Sequence, residues 1–89
     1  MNAEELIATA EAGVNAMFTI ARQWQANADR LYNAAQHAGE EGDTEEVKAK
    51  VKEEFLSASR TAMNKSDRIY VNAMDAKRAL AEAKRIAGP

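Results

Sequence analysis

Apolar residues recur along the first half of the chain at alternating intervals of three and four positions. The series is Ile7, Ala10, Val14, Met17, Ala21, Trp24, Ala28, Leu31, Ala35 and Ala38. This spacing returns every member to one side of an α-helix and is the seven-residue repeat of coiled coils. It predicts a long helix over residues 3–38 whose apolar seam faces another helix.

Residues suited to helix ends flank this segment. Asn2 is placed to cap the first turn, and Glu5 stands three positions later, as in a capping box. Gly39 is expected to adopt the left-handed backbone conformation that often ends a helix. Residues 39–43, Gly-Glu-Glu-Gly-Asp, have the composition of a solvated turn. Asp43 is then expected to cap a second helix.

The second half has its own apolar seam, but the spacing of that seam changes along the chain. Its members are Val47, Val51, Phe55, Ala58, Ala62, Ser66, Ile69, Ala73, Ala76, Leu80, Ala83 and Ala87. The first steps follow an eleven-residue repeat and the later ones a seven-residue repeat, which predicts left-handed supercoiling only in the later part. No glycine or proline interrupts residues 44–87, so one helix is predicted there.

The weakest point of this helix is the polar run Asn-Lys-Ser-Asp at residues 64–67. Ser66 or Asp67 is able to cap a third helix, which would produce a three-helix bundle with a break near 64–67. The seam nevertheless continues through the run with Ser66 as its one polar member. We therefore predict an all-α chain with a single domain over residues 1–89, an antiparallel helical hairpin that assembles as a helical bundle or coiled coil.

Trp24, the only tryptophan, lies in the first seam between two alanines. In a symmetric hairpin the sequence numbers of two facing residues add up to about 82. Trp24 should therefore face Ala58, with Phe55 one turn away. The turns after Leu80 should then project beyond the first helix. Small residues let helices approach, and a large ring fills the remaining space. Trp24, Phe55 and Ala58 are the predicted core anchor; a tryptophan that binds a ligand or partner is the other interpretation.

Apolar residues beside the seams widen the apolar stripe of each helix. Two helices alone bury a narrow stripe, so a wider one indicates further neighbours. A dimer of hairpins forming a four-helix bundle is the favoured solution, and a helix from another protein is the alternative. The residues expected to form the self-association surface are Phe18, Ile20, Met63, Tyr70 and Met74. Methionines adapt to irregular interfaces but are equally ordinary in a core.

Composition and charge narrow the class of protein. A chain of 89 residues cannot bury a deep core alone. It has no cysteine, no apolar run long enough to span a membrane and no signal-peptide layout, which fits the cytoplasm. Residues 1–43 hold seven acids and two bases, and residues 44–89 hold seven acids and ten bases. This asymmetry indicates attraction between two paired helices.

Patterns typical of catalysis and metal binding are missing from the sequence. The single histidine, His37, has its nearest acids in the turn, which makes a weak metal site. The serines have no histidine base within reach, and adjacent glutamates such as Glu4 and Glu5 lie on exposed arcs. No glycine-rich phosphate loop follows a strand. A non-enzymatic protein without cofactor or metal is therefore predicted.

A basic cluster near the end of the second helix suggests an alternative function. The cluster is Lys77, Arg78, Lys84 and Arg85. Dimers of helical hairpins can bind structured RNA along such a face. Asp75 and Glu82 interrupt the cluster, however, and a sequence pI near 5.4 opposes phosphate neutralisation.

The sequence favours a structural or protein-interaction module that self-associates through its apolar face. A bacterial or phage accessory protein that inhibits or chaperones another protein is compatible with the same residues. A small RNA-binding dimer is the alternative.

Overall fold

The computed structural model describes residues 2–38 and 44–88. These residues form two α-helices, α1 (Ala3–His37, 35 residues) and α2 (Glu45–Ala87, 43 residues). The helices pack against each other along their length in opposite directions. The predicted all-α antiparallel hairpin is therefore confirmed, and the described residues contain no strand.

α2 continues without interruption through the polar run at residues 64–67, so the alternative with a third helix is wrong. Ser66 is buried, and its hydroxyl donates a hydrogen bond to the backbone carbonyl of Ala21, with an Oγ–O distance of 2.8 Å. A buried hydroxyl with a partner does not incur the cost of an unsatisfied polar group. The other three residues of the run are exposed to solvent, where polar side chains do not disturb the helix.

The N-terminal ends of both helices are capped by side chains. Asn2 accepts a hydrogen bond from the Glu5 amide at 2.9 Å, as predicted. Thr44 accepts one from the Val47 amide at 3.3 Å and takes the capping position predicted for Asp43. Asp43 itself, Gly39 and the predicted turn at 39–43 lie outside the described residues. α1 ends at His37 with Ala38 as its extended C-cap.

Small side chains form the line of closest contact between the helices. The buried residues are Val14, Ala21, Ala28 and Ala35 in α1 and Ala62, Ser66 and Ala73 in α2. The Ser59 hydroxyl also donates to the Ala28 carbonyl at 2.9 Å. A serine hydroxyl reaches the backbone of a neighbouring helix only when the two backbones are close, and small residues make that approach possible.

The two serine hydrogen bonds also define the register of the hairpin. Ala21 lies opposite Ser66 and Ala28 opposite Ser59, so the numbers of facing residues total 87. A symmetric hairpin would give about 82. α2 is therefore displaced along α1 by about five residues from the predicted position.

This displacement places the C-terminal turns of α2 beside the start of α1. Lys84 forms an ion pair with Glu11, and Gly88 lies near Ala3. The prediction that the turns after Leu80 project beyond the first helix is therefore wrong. The first turns of α2 extend past the end of α1 instead.

Ala58 is exposed, and Ser59 takes its place in the helix contact. The prediction of Ala58 as part of the core anchor is therefore wrong. The buried and half-buried residues of this part of α2 include the series Phe55, Ser59, Ala62, Ser66, Ile69, Ala73, Ala76 and Leu80, with Leu56 and Met63 half-buried beside it. Its steps alternate between four and three, so the seven-residue repeat already applies here and the predicted eleven-residue phase is wrong.

The hairpin is a thin rod. Its dimensions are 67 × 16 × 15 Å, and the longest one matches 43 helical residues at about 1.5 Å each. The radius of gyration is 20.0 Å, whereas a globular chain of this length would have about 12 Å. A rod with two helices in cross-section has no interior layer in which large side chains can be enclosed.

We expect Ala28→Leu to lower the free energy of unfolding by about 1–3 kcal/mol, because an isobutyl group cannot fit where the two backbones are close. Ala12→Leu is the matched control, since Ala12 is an exposed position of the same helix; its effect should stay within about 0.5 kcal/mol. Urea denaturation followed by circular dichroism measures both. Equal effects would contradict the close approach of the helices.

Candidate interaction surfaces

One side of the helix contact carries a patch of aromatic and methionine side chains. The rings of Phe18 and Tyr70 meet edge to face, with centroids 5.5 Å apart and an interplanar angle of 72°. Met63 borders the same groove as Tyr70, and Met74 follows Tyr70 by one helical turn. We call this patch of Phe18, Met63, Tyr70 and Met74 the Tyr70 face.

The opposite side of the contact contains the tryptophan. The Lys65 ammonium lies 4.5 Å from the centroid of the Trp24 ring, a cation–π distance. Ile20 lies one turn before Trp24, and Ala58 lies seven residues before Lys65, so both share this side. We call Ile20, Trp24, Ala58 and Lys65 the Trp24 face.

The two faces divide the residues predicted to form a single self-association surface. Phe18, Met63, Tyr70 and Met74 come together, but Ile20 belongs to the Trp24 face. Phe18 and Ile20 are two residues apart, which separates them by about 200° around α1. The helical phase therefore already contained the signal that they do not share a surface. Tyr32 was not among the predicted residues, but it repeats the heptad position of Phe18, is 51% exposed and therefore lies on the same side of α1 as Phe18.

Large apolar side chains remain incompletely covered on both faces. None of the large side chains described is fully buried, and the buried apolar residues are one valine and five alanines. Tyr70 is 52% exposed and Ile20 43% exposed. Trp24 and Phe55, the remaining predicted anchors, are half-buried. They contribute to the helix contact without being enclosed by it.

The basic cluster predicted for RNA binding is interspersed with carboxylates. Lys84 pairs with Glu11, Arg78 with Asp75 at 3.6 Å, and Arg85 with Glu82. The Arg85 hydrogen bonds hold the pKa of Glu82 below its usual value. Lys77 borders the groove that also contains Lys84. Three of the four cations therefore have a carboxylate partner within the hairpin, which weakens the surface as a phosphate-binding site.

Acidic and histidine side chains of residues 2–38 and 44–88 do not gather in groups of three or more that could hold a metal ion. Neither α1 nor α2 is long and apolar enough, over its described residues, to cross a membrane.

No protein-family model, curated protein or solved structure matches this chain. Function must be inferred from the two faces and the charges of the hairpin itself.

We expect Trp24→Ala to lower the free energy of unfolding by about 1–2 kcal/mol, less than the 3–5 kcal/mol typical of an enclosed tryptophan, because Trp24 is only partly buried in the hairpin. Urea denaturation at low micromolar protein concentration measures the change. A loss above about 3 kcal/mol would contradict the half-buried environment and would indicate that another chain covers the ring.

Proposed function

We propose that this protein is a non-enzymatic structural or protein-interaction module that works as a homo-oligomer, with hairpins joined through the Tyr70 face. The observation that supports this most strongly is the absence of a fully buried large side chain among the described residues. Burial of apolar area is the main favourable term in folding and in association. A hairpin that encloses only small side chains gains further stability when its large side chains are covered by another chain.

The surface area of the hairpin supports the same proposal. Its accessible surface is 6644 Å², whereas a compact monomer of 9.7 kDa is expected to have about 5100 Å². The excess is about 1500 Å², and a stable interface covers about 800 Å² on each partner. The rod therefore has more than enough additional surface to form one stable interface.

The Tyr70 face is favoured over the Trp24 face because its apolar groups are contiguous. Met63 and Tyr70 lie on either side of the midpoint of α2, and Phe18 is in contact with Tyr70. Aromatic and methionine side chains are enriched at the centres of protein interfaces. On the Trp24 face the Lys65 ammonium already lies over the indole.

Two hairpins joined through their Tyr70 faces form a four-helix bundle in which both copies use the same surface. The Trp24 faces then lie on the two outer sides of the bundle and remain available for another protein. This arrangement suits an accessory protein that binds, inhibits or chaperones a partner.

The test is sedimentation velocity of the wild-type protein and of Tyr70→Glu. Protein concentrations of about 5–100 µM cover the dissociation constants of dimers with weak to moderate affinity. The wild type should sediment as a species of at least twice the 9.7 kDa chain mass. Tyr70→Glu should weaken association at least about tenfold, because a carboxylate would be buried at the centre of the interface.

Ile20→Glu is the matched control, since Ile20 is similarly exposed but belongs to the opposite face. It should leave association within about twofold of the wild type. Loss of association in Ile20→Glu but not in Tyr70→Glu would identify the Trp24 face as the interface. A wild-type monomer across the whole concentration range would refute the proposed function.

A further inference from the structure

We infer that the second copy lies in the same direction as the first, with the two-fold axis along the length of the hairpins, so that α1 of each copy packs on α2 of the other. This inference rests on the proposed function, because it specifies the orientation of the dimer formed through the Tyr70 face. Its basis is the charge distribution around that face.

Two face-to-face dimers with two-fold symmetry are possible for a hairpin. With the axis along the hairpin, the ends that hold His37 and Glu45 lie together, and α1 faces α2 of the second copy. With the axis across the hairpin, these ends lie at opposite extremes of the bundle. α1 then faces α1, and α2 faces α2.

Net charge distinguishes the two arrangements. Residues 2–38 carry four acids and two bases, a net charge of −2, and residues 44–88 carry seven acids and ten bases, a net charge of +3. Placing α1 on α2 brings opposite net charges together, whereas the crossed arrangement places +3 on +3. Like charges across an interface disfavour that arrangement.

Little of this charge difference is neutralised between the helices of one hairpin. Among the described residues, the ion pair that joins α1 to α2 is Lys84–Glu11. The other ion pairs lie within α2 and are Lys48–Glu45, Lys50–Glu46, Arg60–Glu53, Arg78–Asp75 and Arg85–Glu82. The acidic character of α1 therefore remains available to a second copy.

Individual charges beside the Tyr70 face complement each other in the same way. Arg22 and Asp67 border the groove that contains Met63 and Tyr70. The observed register places Arg22 at the level of Asp67. The structure contains no ion pair between these two side chains, and Arg22 donates a hydrogen bond to Thr19 instead. With the axis along the hairpin, Arg22 meets Asp67 of the second copy.

One heptad nearer the turn end, Asp29 lies at the level of Arg60. Within the hairpin Arg60 pairs with Glu53 at 3.1 Å, and Asp29 has no hydrogen bond or ion pair among the described residues. The parallel dimer brings Asp29 to Arg60 of the second copy. A crossed dimer centred between Met63 and Tyr70 would instead place Asp67 near Asp67 of the second copy, where the two carboxylates would repel each other.

Spin-label distances decide the orientation, because the chain contains no native cysteine. Lys50→Cys and Arg85→Cys place one label near each end of α2, and both side chains are exposed. In the parallel dimer each variant should give an intermolecular distance below about 30 Å, because neighbouring helices are about 8–10 Å apart. In the crossed dimer each distance should be about 50 Å. Both sites lie 17–18 residues from Asp67 at the dimer centre, which is about 26 Å at about 1.5 Å per residue, and the two copies place their labels on opposite sides of that centre.

Charge exchange between two variants provides an independent test. Arg22→Asp and Asp67→Arg should each weaken self-association at least about tenfold, because like charges meet in each homodimer. An equimolar mixture should recover association to within about threefold of the wild type, because both contacts in the heterodimer pair opposite charges. Asp75→Arg is the control, because Asp75 is off the Tyr70 face. By itself this variant should associate like the wild type, and mixed with Arg22→Asp it should leave Arg22→Asp unassociated, because the carboxylate introduced at position 22 would still meet Asp67.

The outcomes separate this inference from the proposed function. A stable dimer with a distance near 50 Å at either site would overturn the orientation and leave self-association through the Tyr70 face intact. Absence of recovery in the mixture would overturn the Arg22–Asp67 contact. A wild-type protein that remains monomeric would refute the proposed function and this inference together.

Discussion

The close approach of two helices along a line of alanine and serine residues determines the rest of this structure. Ser59 and Ser66 reach carbonyl groups of α1 because the backbones are close, and their hydrogen bonds define the register. The same closeness leaves no room for large side chains between the helices. Phe18 and Tyr70 are therefore displaced to one side of the contact and Trp24 to the other.

This contact explains why a well-formed hairpin retains two apolar faces. Alanine buries little apolar area, so a contact line of alanines contributes less hydrophobic free energy than one of leucines. The large side chains that would normally supply this free energy are half-covered in the hairpin. The proposed association would cover them without disturbing the contact between the helices, and the small-residue line therefore links the fold to the proposed function.

Charge and apolar contact have different roles in this arrangement. The ion pairs within α2 join exposed side chains and stabilise the helix only slightly. The unequal charges of α1 and α2 distinguish one dimer orientation from another, because electrostatic complementarity affects specificity more than affinity. In the proposed assembly the Tyr70 face supplies the free energy of association, and Arg22 and Asp67 at its border select the orientation.

The sequence alone determined the two helices, the Asn2 cap and the continuity of α2, because periodicity and capping are local properties. It also contained the separation of Phe18 from Ile20, which follows from helical phase. The register and the exchange of Ala58 for Ser59 were decided by the tertiary structure. In the sequence Ser59 is simply a polar residue beside an apolar one. In the structure the Ser59 hydroxyl donates to the Ala28 carbonyl at 2.9 Å, and this bond favours Ser59 over Ala58 in the helix contact. The sequence could not show this, because a hydrogen bond between helices depends on how closely their backbones approach.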